Sequence, residues 1–284
     1  MKHLLLMLVF TSDLGFGSIL PPNDLHLEDR LRFSRSGIDE AVFDKVLDEI
    51  EVVYGPIFER HGGKLVIQRR WADPVVNAAA MKNGEKWLVI MYGGLARRPE
   101  ITIDGFTLST CHEVGHHLGG LPVFKLEKDM SVEGQADYFS VHSCAKLLWQ
   151  NQADQNAKFR DDVAGDVKSI CDATYFGEAE QNLCYRSVTA ALSIGQMLSS
   201  VFSQDVSLAT PSRDIAGRTK QWYPPIQCRL DTLVAGSLCS TPFDSLAVPA
   251  TWPEVRATSC LEPEVRSTGS RPICWFKPPN SDLL

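Results

Sequence analysis

At 284 residues, 44% hydrophobic and 22% charged, the chain has the composition of a globular protein with enough length for one sizeable core. Its 28 Lys and Arg against 35 Asp and Glu leave a formal charge of −7, which excludes a general nucleic-acid binder, because such proteins need clustered positive charge to displace counterions. No apolar run reaches the roughly 18 residues that cross a bilayer, and no basic run exceeds two residues, so neither an integral membrane segment in the mature chain nor a lipid-surface patch is expected.

In chain order, the first predicted element is an export signal. Lys2 and His3 precede the apolar stretch Leu4 to Phe10, and the small residues Gly15, Gly17 and Ser18 follow. This is the pattern of a short secretory leader over 1–17 with a Gly-x-Gly cleavage site and a mature start near Ser18. Ile38, Val42, Val46, Ile50 and Val53 recur at helical spacing, predicting an amphipathic helix over about 37–54 that ends at Gly55-Pro56. "GGKLVIQRRW" (62–71) reads as a strand, and "VVNAAAMKNGEKWLVIMYGG" (75–94) as two strands joined at Asn83-Gly84, a hairpin signal.

Asp104 is placed to cap a helix that runs through "LSTCHEVGHHLGG" (108–120) and stops at Gly119-Gly120, with Pro122 beyond. Ser131 is expected to cap the next helix, about 132–150, and a further helix is expected over about 178–202. From about 204 the chain reads as irregular. From 241 it is rich in Pro, Ser and Thr, so we divide it into a body (18–240) and an extension (241–284) wrapped on that body.

Eight cysteines are present, and six lie downstream at local spacings: Cys171/Cys184, Cys228/Cys239 and Cys260/Cys274. No C-x-x-C occurs, which disfavours thiolate zinc ribbons and thioredoxin chemistry. An even count behind a secretory start predicts disulfides in an oxidising, periplasmic or extracellular compartment. The local pairs are the expected ones, with at most two free thiols and Cys111 foremost among them as a buried core residue.

The chemistry lies in residues 112–137. Positions i and i+4 share one face of a helix, so His112 and His116 can present two imidazoles to one metal ion. Glu113 is turned about 100° away, where it reaches a metal-bound water instead of the metal. Catalytic zinc takes three protein ligands and keeps a fourth position open, so one more ligand is required. A histidine six residues past His116 is ruled out, because Pro122 stands there. In "SVEGQADYF" (131–139), Glu133 and Asp137 are again four apart on one face. One carboxylate can complete the shell and the other can accept the N–H of a ligating histidine. His117 and His142 continue neither ligand face and are assigned to surface or packing.

These motifs carry a resemblance. H-E-x-x-H followed by E-x-x-A-D (Glu133 to Asp137) resembles the gluzincin metallopeptidases, and among them the family of CAAX prenyl proteases, heat-shock membrane proteases and their soluble periplasmic relatives. Upstream, Asn77-Ala78 and "WLVIMYGGLA" (87–96) are similar to that family's Asn-Ala edge strand and its strand ending in Gly-Leu. Downstream, "YPPIQCRL" (223–230) is similar to its His-Pro-Pro…Arg-Ile segment, with Tyr223 in place of the histidine.

The elements and the resemblance together predict an α+β fold: a small mixed sheet with an edge strand, a mainly helical zinc-peptidase body, and an irregular cysteine-clamped tail. The implied activity is hydrolysis of a polypeptide substrate by one Zn²⁺ held by His112, His116 and Glu133. Glu113 would be the general base, Asp137 would support the ligands, Asn77 and the backbone of Ala78 would hold the substrate as an added strand, and Tyr223 would be a candidate oxyanion donor. The alternative is a latent or non-catalytic module that keeps the zinc and binds polypeptides without cleaving them.

Overall fold

The computed structural model describes residues 17–28, 37–126, 129–261 and 268–278, so the expected leader lies outside the described residues except for Gly17. A two-residue strand, β1 (Gly17–Ser18), comes first. Asp39 then starts helix α1 (Glu40–Arg60) by accepting the Val42 N–H at 2.8 Å. This helix continues through Gly55-Pro56 instead of ending there. Pro56 deletes one backbone donor, aimed one turn back at Val52, and Val52 is on the solvent side at 76% exposure, where water can replace the bond. Ile57 and Phe58 beyond the proline are buried and hold the last turn in the core.

Strands β2 (Lys64–Arg70), β3 (Ala78–Asn83) and β4 (Lys86–Tyr92) complete a four-stranded sheet of order β1-β3-β4-β2. β3 and β4 form the expected antiparallel hairpin, with Asn83 opposite Lys86 and Gly84 at φ 60°. β2 runs parallel to β4 from Lys64↔Lys86 to Arg70↔Tyr92, and β1 lies antiparallel on the outer side of β3. The sheet is therefore mixed, and the fold is α+β.

A single turn, α2 (Gly93–Ala96), leads to α3 (Ile103–Leu118), the helix of the histidine motif. Its cap is Thr102, whose side chain accepts the Gly105 N–H at 3.0 Å, and not Asp104. The cap position requires extended backbone, which Thr102 has (ψ 169°). Asp104 is already helical and pairs instead with Arg186 at 2.8 Å. The helix expected over 132–150 is divided into α4 (Glu133–Phe139), a π-helical stretch (Ser140–Ala145) and α5 (Lys146–Trp149). Ser131 is not its cap, because its hydroxyl donates to the Gly120 carbonyl at 2.8 Å.

Three short helices follow: α6 (Ala153–Ala157), α7 (Phe159–Asp162) and α8 (Gly165–Thr174). The long α9 (Glu178–Phe202) matches the 178–202 reading. Helix α10 (Ile226–Leu238) occupies chain that reads as irregular. Its Arg229, Thr232 and Ser237 are buried along with Leu230 and Leu233, so the contrast between faces that reveals an amphipathic helix is weak. In the tail, α11 (Trp252–Thr258) starts with a capping box between Thr251 and Glu254.

Helix α3 is the axis of the molecule. It is buried from Gly105 to Leu118 and packs against α1, β3, β4, α4, the π-helical stretch and α9. Phe43, Leu47, Ile50 and Phe58 of α1 join Phe106, Leu108 and Val114 of α3 in the main core.

Four disulfides fasten this arrangement. Cys171–Cys184 joins α8 to α9 as the spacing predicts. The other two local pairs are exchanged for Cys228–Cys274 and Cys239–Cys260. Cys228 lies in the first turn of α10 and Cys239 just past its end, roughly 16 Å away at 1.5 Å per residue, which is too far for a bond between them. Cys111 is not a free thiol but is bonded to Cys144, and no described cysteine is free. Among the described residues no helix is long and apolar enough to cross a membrane.

Candidate metal centre

One turn of α3 and the first turn of α4 face each other across the core. His112, Glu113 and His116 come from the first and Glu133 and Asp137 from the second, and all five are fully buried. The i, i+4 spacing does on each helix what the sequence predicts. His112 Nε2 and His116 Nε2 stand 3.1 Å apart, and Glu133 Oε2 lies 3.3 Å from the first and 3.8 Å from the second. Donors held tetrahedrally at about 2.0–2.1 Å from a zinc ion stand roughly 3.3 Å from one another, so this triangle fits one ion.

Glu113 joins both histidines in a group whose ligand atoms lie within 4.8 Å of one another. Glu133 Oε2 and both oxygens of Glu113 are buried without a hydrogen-bond partner. Orphaned anionic oxygens are costly in a protein interior, and a cation beside them removes that cost. The donor set of two imidazoles and a carboxylate is one that zinc accepts.

The outer partners set the tautomers. His116 Nδ1 is hydrogen-bonded to the Ser131 carbonyl at 2.8 Å, which leaves Nε2 facing the cluster. His112 Nδ1 is 2.8 Å from Asp137 Oδ1, a contact too bent to meet strict hydrogen-bond geometry. Asp137 in turn receives Nε and Nη2 of Arg229 at 2.8 and 2.7 Å. Burial works to raise the Asp137 carboxyl, but the Arg229 guanidinium outweighs it and holds the group well below the usual carboxylate range.

The two histidines are pushed apart. Burial lowers both, but the Asp137 charge brings His112 up to about 10, whereas His116, next to His112, falls to about 3. Burial raises Glu113 to about 8, with His112 opposing the shift and Glu133 adding to it.

The remaining expected residues converge on the same place through the N-terminal segment. Asn77 and Ala78, expected to hold a substrate strand, contact a strand of the chain's own residues. Gly17 and Ser18 pair with Ala80 and Ala79, and the Ile19 N–H donates to the Ala78 carbonyl at 3.3 Å. The Asn77 side chain then grips both backbone groups of Leu20, each at 3.1 Å.

Tyr223 OH meets Ser18 Oγ at 2.6 Å and donates to the Leu20 carbonyl at 3.3 Å, so it faces this segment. Burial, with the Glu133 charge, raises its pKa and keeps it a protonated donor. Arg229, to which the sequence motifs give no role, reaches the Ile19 carbonyl at 2.5 Å in addition to Asp137. Its only signal in the sequence is its place in the "YPPIQCRL" segment.

His117 and His142 stay outside the cluster, buried in packing roles against Phe58 and Trp87, and against Tyr138, respectively. No protein-family model matches the chain, and no curated protein or solved structure matches it either, so the likeness to gluzincins rests on the motifs and on this geometry.

Proposed function

We propose that the protein is an exported zinc metalloendopeptidase of gluzincin type. The observation that carries this reading is the closed triangle of His112 Nε2, His116 Nε2 and Glu133 Oε2, with the unpartnered carboxylate of Glu113 beside it. The three residues of the triangle would hold one Zn²⁺. Zinc bound there would supply Lewis acidity and lower the pKa of a water toward ~7, giving a nucleophile at neutral pH.

The chain's own groups do the rest. A Glu113 oxygen takes the proton of the attacking water and returns it to the leaving amine. Its upward shift comes from burial, and positive charge in the site draws it back down, into the range where a proton acceptor works near neutral pH. Asp137 and the Ser131 carbonyl keep the imidazoles turned to the ion. Asn77 and Ala78 align an extended peptide along β3, and the Tyr223 hydroxyl, which faces that segment, serves as a neutral donor for charge developing on a scissile carbonyl. Four disulfides fit an oxidising compartment and so support export.

Metal analysis of the purified protein tests the site: about one zinc per chain is expected, lost when His112 and His116 are both changed to Ala. Zinc that persists fully in that variant would show the assignment to be wrong. Glu113→Gln should keep the metal and abolish hydrolysis of an unfolded protein. The occupied edge of β3 favours one alternative, a zinc-holding module that binds peptides and cleaves none. For that module neither the unaltered protein nor Glu113→Gln would hydrolyse the polypeptide.

A further inference from the structure

We infer that residues Gly17–Leu20 are a resident, substrate-like occupant of the peptide groove, which places any leader cleavage before Gly17 and not after it, and that the groove takes an extended peptide with glycine over His116 followed by apolar side chains. This inference rests on the peptidase reading for the meaning of the groove but not for the mode of binding.

The segment behaves as a bound peptide in each respect that physical chemistry distinguishes. Its backbone adds to the sheet edge in one antiparallel register from Gly17–Ala80 to Leu20–Asn77. An edge strand offers a row of unpaired backbone groups, so an extended peptide is the occupant it accepts whatever that peptide's side chains. The polar groups that satisfy this backbone come from the surrounding site. Arg229 donates to the Ile19 carbonyl, Tyr223 to the Leu20 carbonyl, and the Ser18 N–H points to Glu133 Oε1 at 3.4 Å.

The side chains set a preference. A Cβ on Gly17 would overlap the His116 imidazole, so no other residue fits there without displacing that ring. Ile19 and Leu20 are fully buried, so the groove surrounds apolar side chains at the two positions that Arg229 and Asn77 anchor. With the segment in place His112, Glu113, His116 and Glu133 are shut off from solvent, so an external peptide can enter only by displacing it. Beyond Pro21 to Asp24 the chain meets the segment leading into β3, where Leu25 and Leu27 bond to Val76 and Pro74 and anchor the occupant as a tether. A tethered ligand competes at an effective concentration of the order of millimolar. Free peptides of modest affinity are therefore excluded until the segment is displaced or cut.

The test cuts the full-length chain without altering a groove residue. A cleavage sequence is placed between Glu28 and Gly37, the zinc-loaded protein is cut there, and the N-terminal fragment is diluted away. A fluorescent synthetic peptide of residues 17–28 should then bind saturably by anisotropy, while the same peptide with Gly17→Val should bind about tenfold or more weakly. Chelator should strip zinc from the freed protein on the order of tenfold faster than from uncut protein, and peptide 17–28 should restore the slow rate.

Equal binding of the native-sequence peptide and its Gly17→Val counterpart would overturn the inference. So would a fragment that leaves only when circular dichroism reports global unfolding, for then the segment is a structural strand. If the peptides discriminate as stated but the freed protein hydrolyses no polypeptide, the inference stands and the peptidase reading alone falls.

Discussion

Asp137 serves two neighbours at once. It lies 2.8 Å from His112 Nδ1 and is the counter-charge for Arg229, which is 1% exposed. Asp137→Asn should therefore lower zinc affinity by about 10–100-fold by weakening the acceptor, and should also cost the zinc-free protein about 3–5 kcal/mol by leaving a buried guanidinium uncompensated. Zinc competition titration and urea unfolding of the zinc-free form measure the two effects separately. Glu133→Gln should cost more zinc affinity, because it removes the anionic oxygen that faces both imidazoles. If Asp137→Asn proves the worse variant for zinc, the two carboxylates exchange roles. The i, i+4 pairs were legible because spacing along one helix fixes a face. Arg229 was not, because its partner is 92 residues away and no local period connects them.

Among the elements, the hairpin and α9 were legible because turn chemistry and a sustained helical period are local signals. The division of the α4 region was not, since a π-helical stretch rotates the facing of the next turns without changing the residue types. Lys146, the first residue of α5, is partly exposed, and its side-chain nitrogen donates to the Cys239 carbonyl at 2.5 Å.

Burial lowers the Lys146 pKa to about 7, with Glu180 partly offsetting it. In the unfolded chain the group titrates near ~10.4, so between those values the unfolded state binds more protons and stability rises with pH. The contribution is full above the unfolded value and is lost as pH falls toward 7. Chemical unfolding at several pH values should show this slope, below about 1.4 kcal/mol per pH unit, and Lys146→Met should flatten it. A second element-scale contact lies where α4 meets the tail, because a Cβ on Gly134 would overlap the Trp275 indole. Gly134→Ala should cost about 1–3 kcal/mol by overpacking, read as a lower denaturation midpoint with the same urea slope.

At the scale of the molecule, the tail is held by Cys228–Cys274 and Cys239–Cys260 and by burial of Trp275 and Phe276. Its Val255, Leu261, Trp275 and Phe276 pack in one cluster with Phe124, Met130 and Val132 of the body, but cysteine spacing could not pair it, since the helix between Cys228 and Cys239 carries them apart. Thiol labelling of the native protein should find no reactive cysteine among the eight. Replacing Cys228 and Cys274 together should cost more stability than replacing Cys171 and Cys184. The loops they close span 46 and 13 residues, for which chain entropy alone gives on the order of 4 and 3 kcal/mol. Equal costs would mean that residual structure in the unfolded chain dominates.

The N-terminal strand also carries an implication about timing. Tyr223 and Arg229, the partners of Ser18 and Ile19, are synthesised 205 and 210 residues after them. At about 5–20 residues per second, these contacts have to wait roughly 10–40 s for their second half to be synthesised. During that interval the histidine helix is already made and its cleft is unsealed. A nascent chain arrested before Tyr223 should therefore take up and release zinc more readily than the finished protein, and closure of the cleft becomes one of the last events in the birth of the molecule.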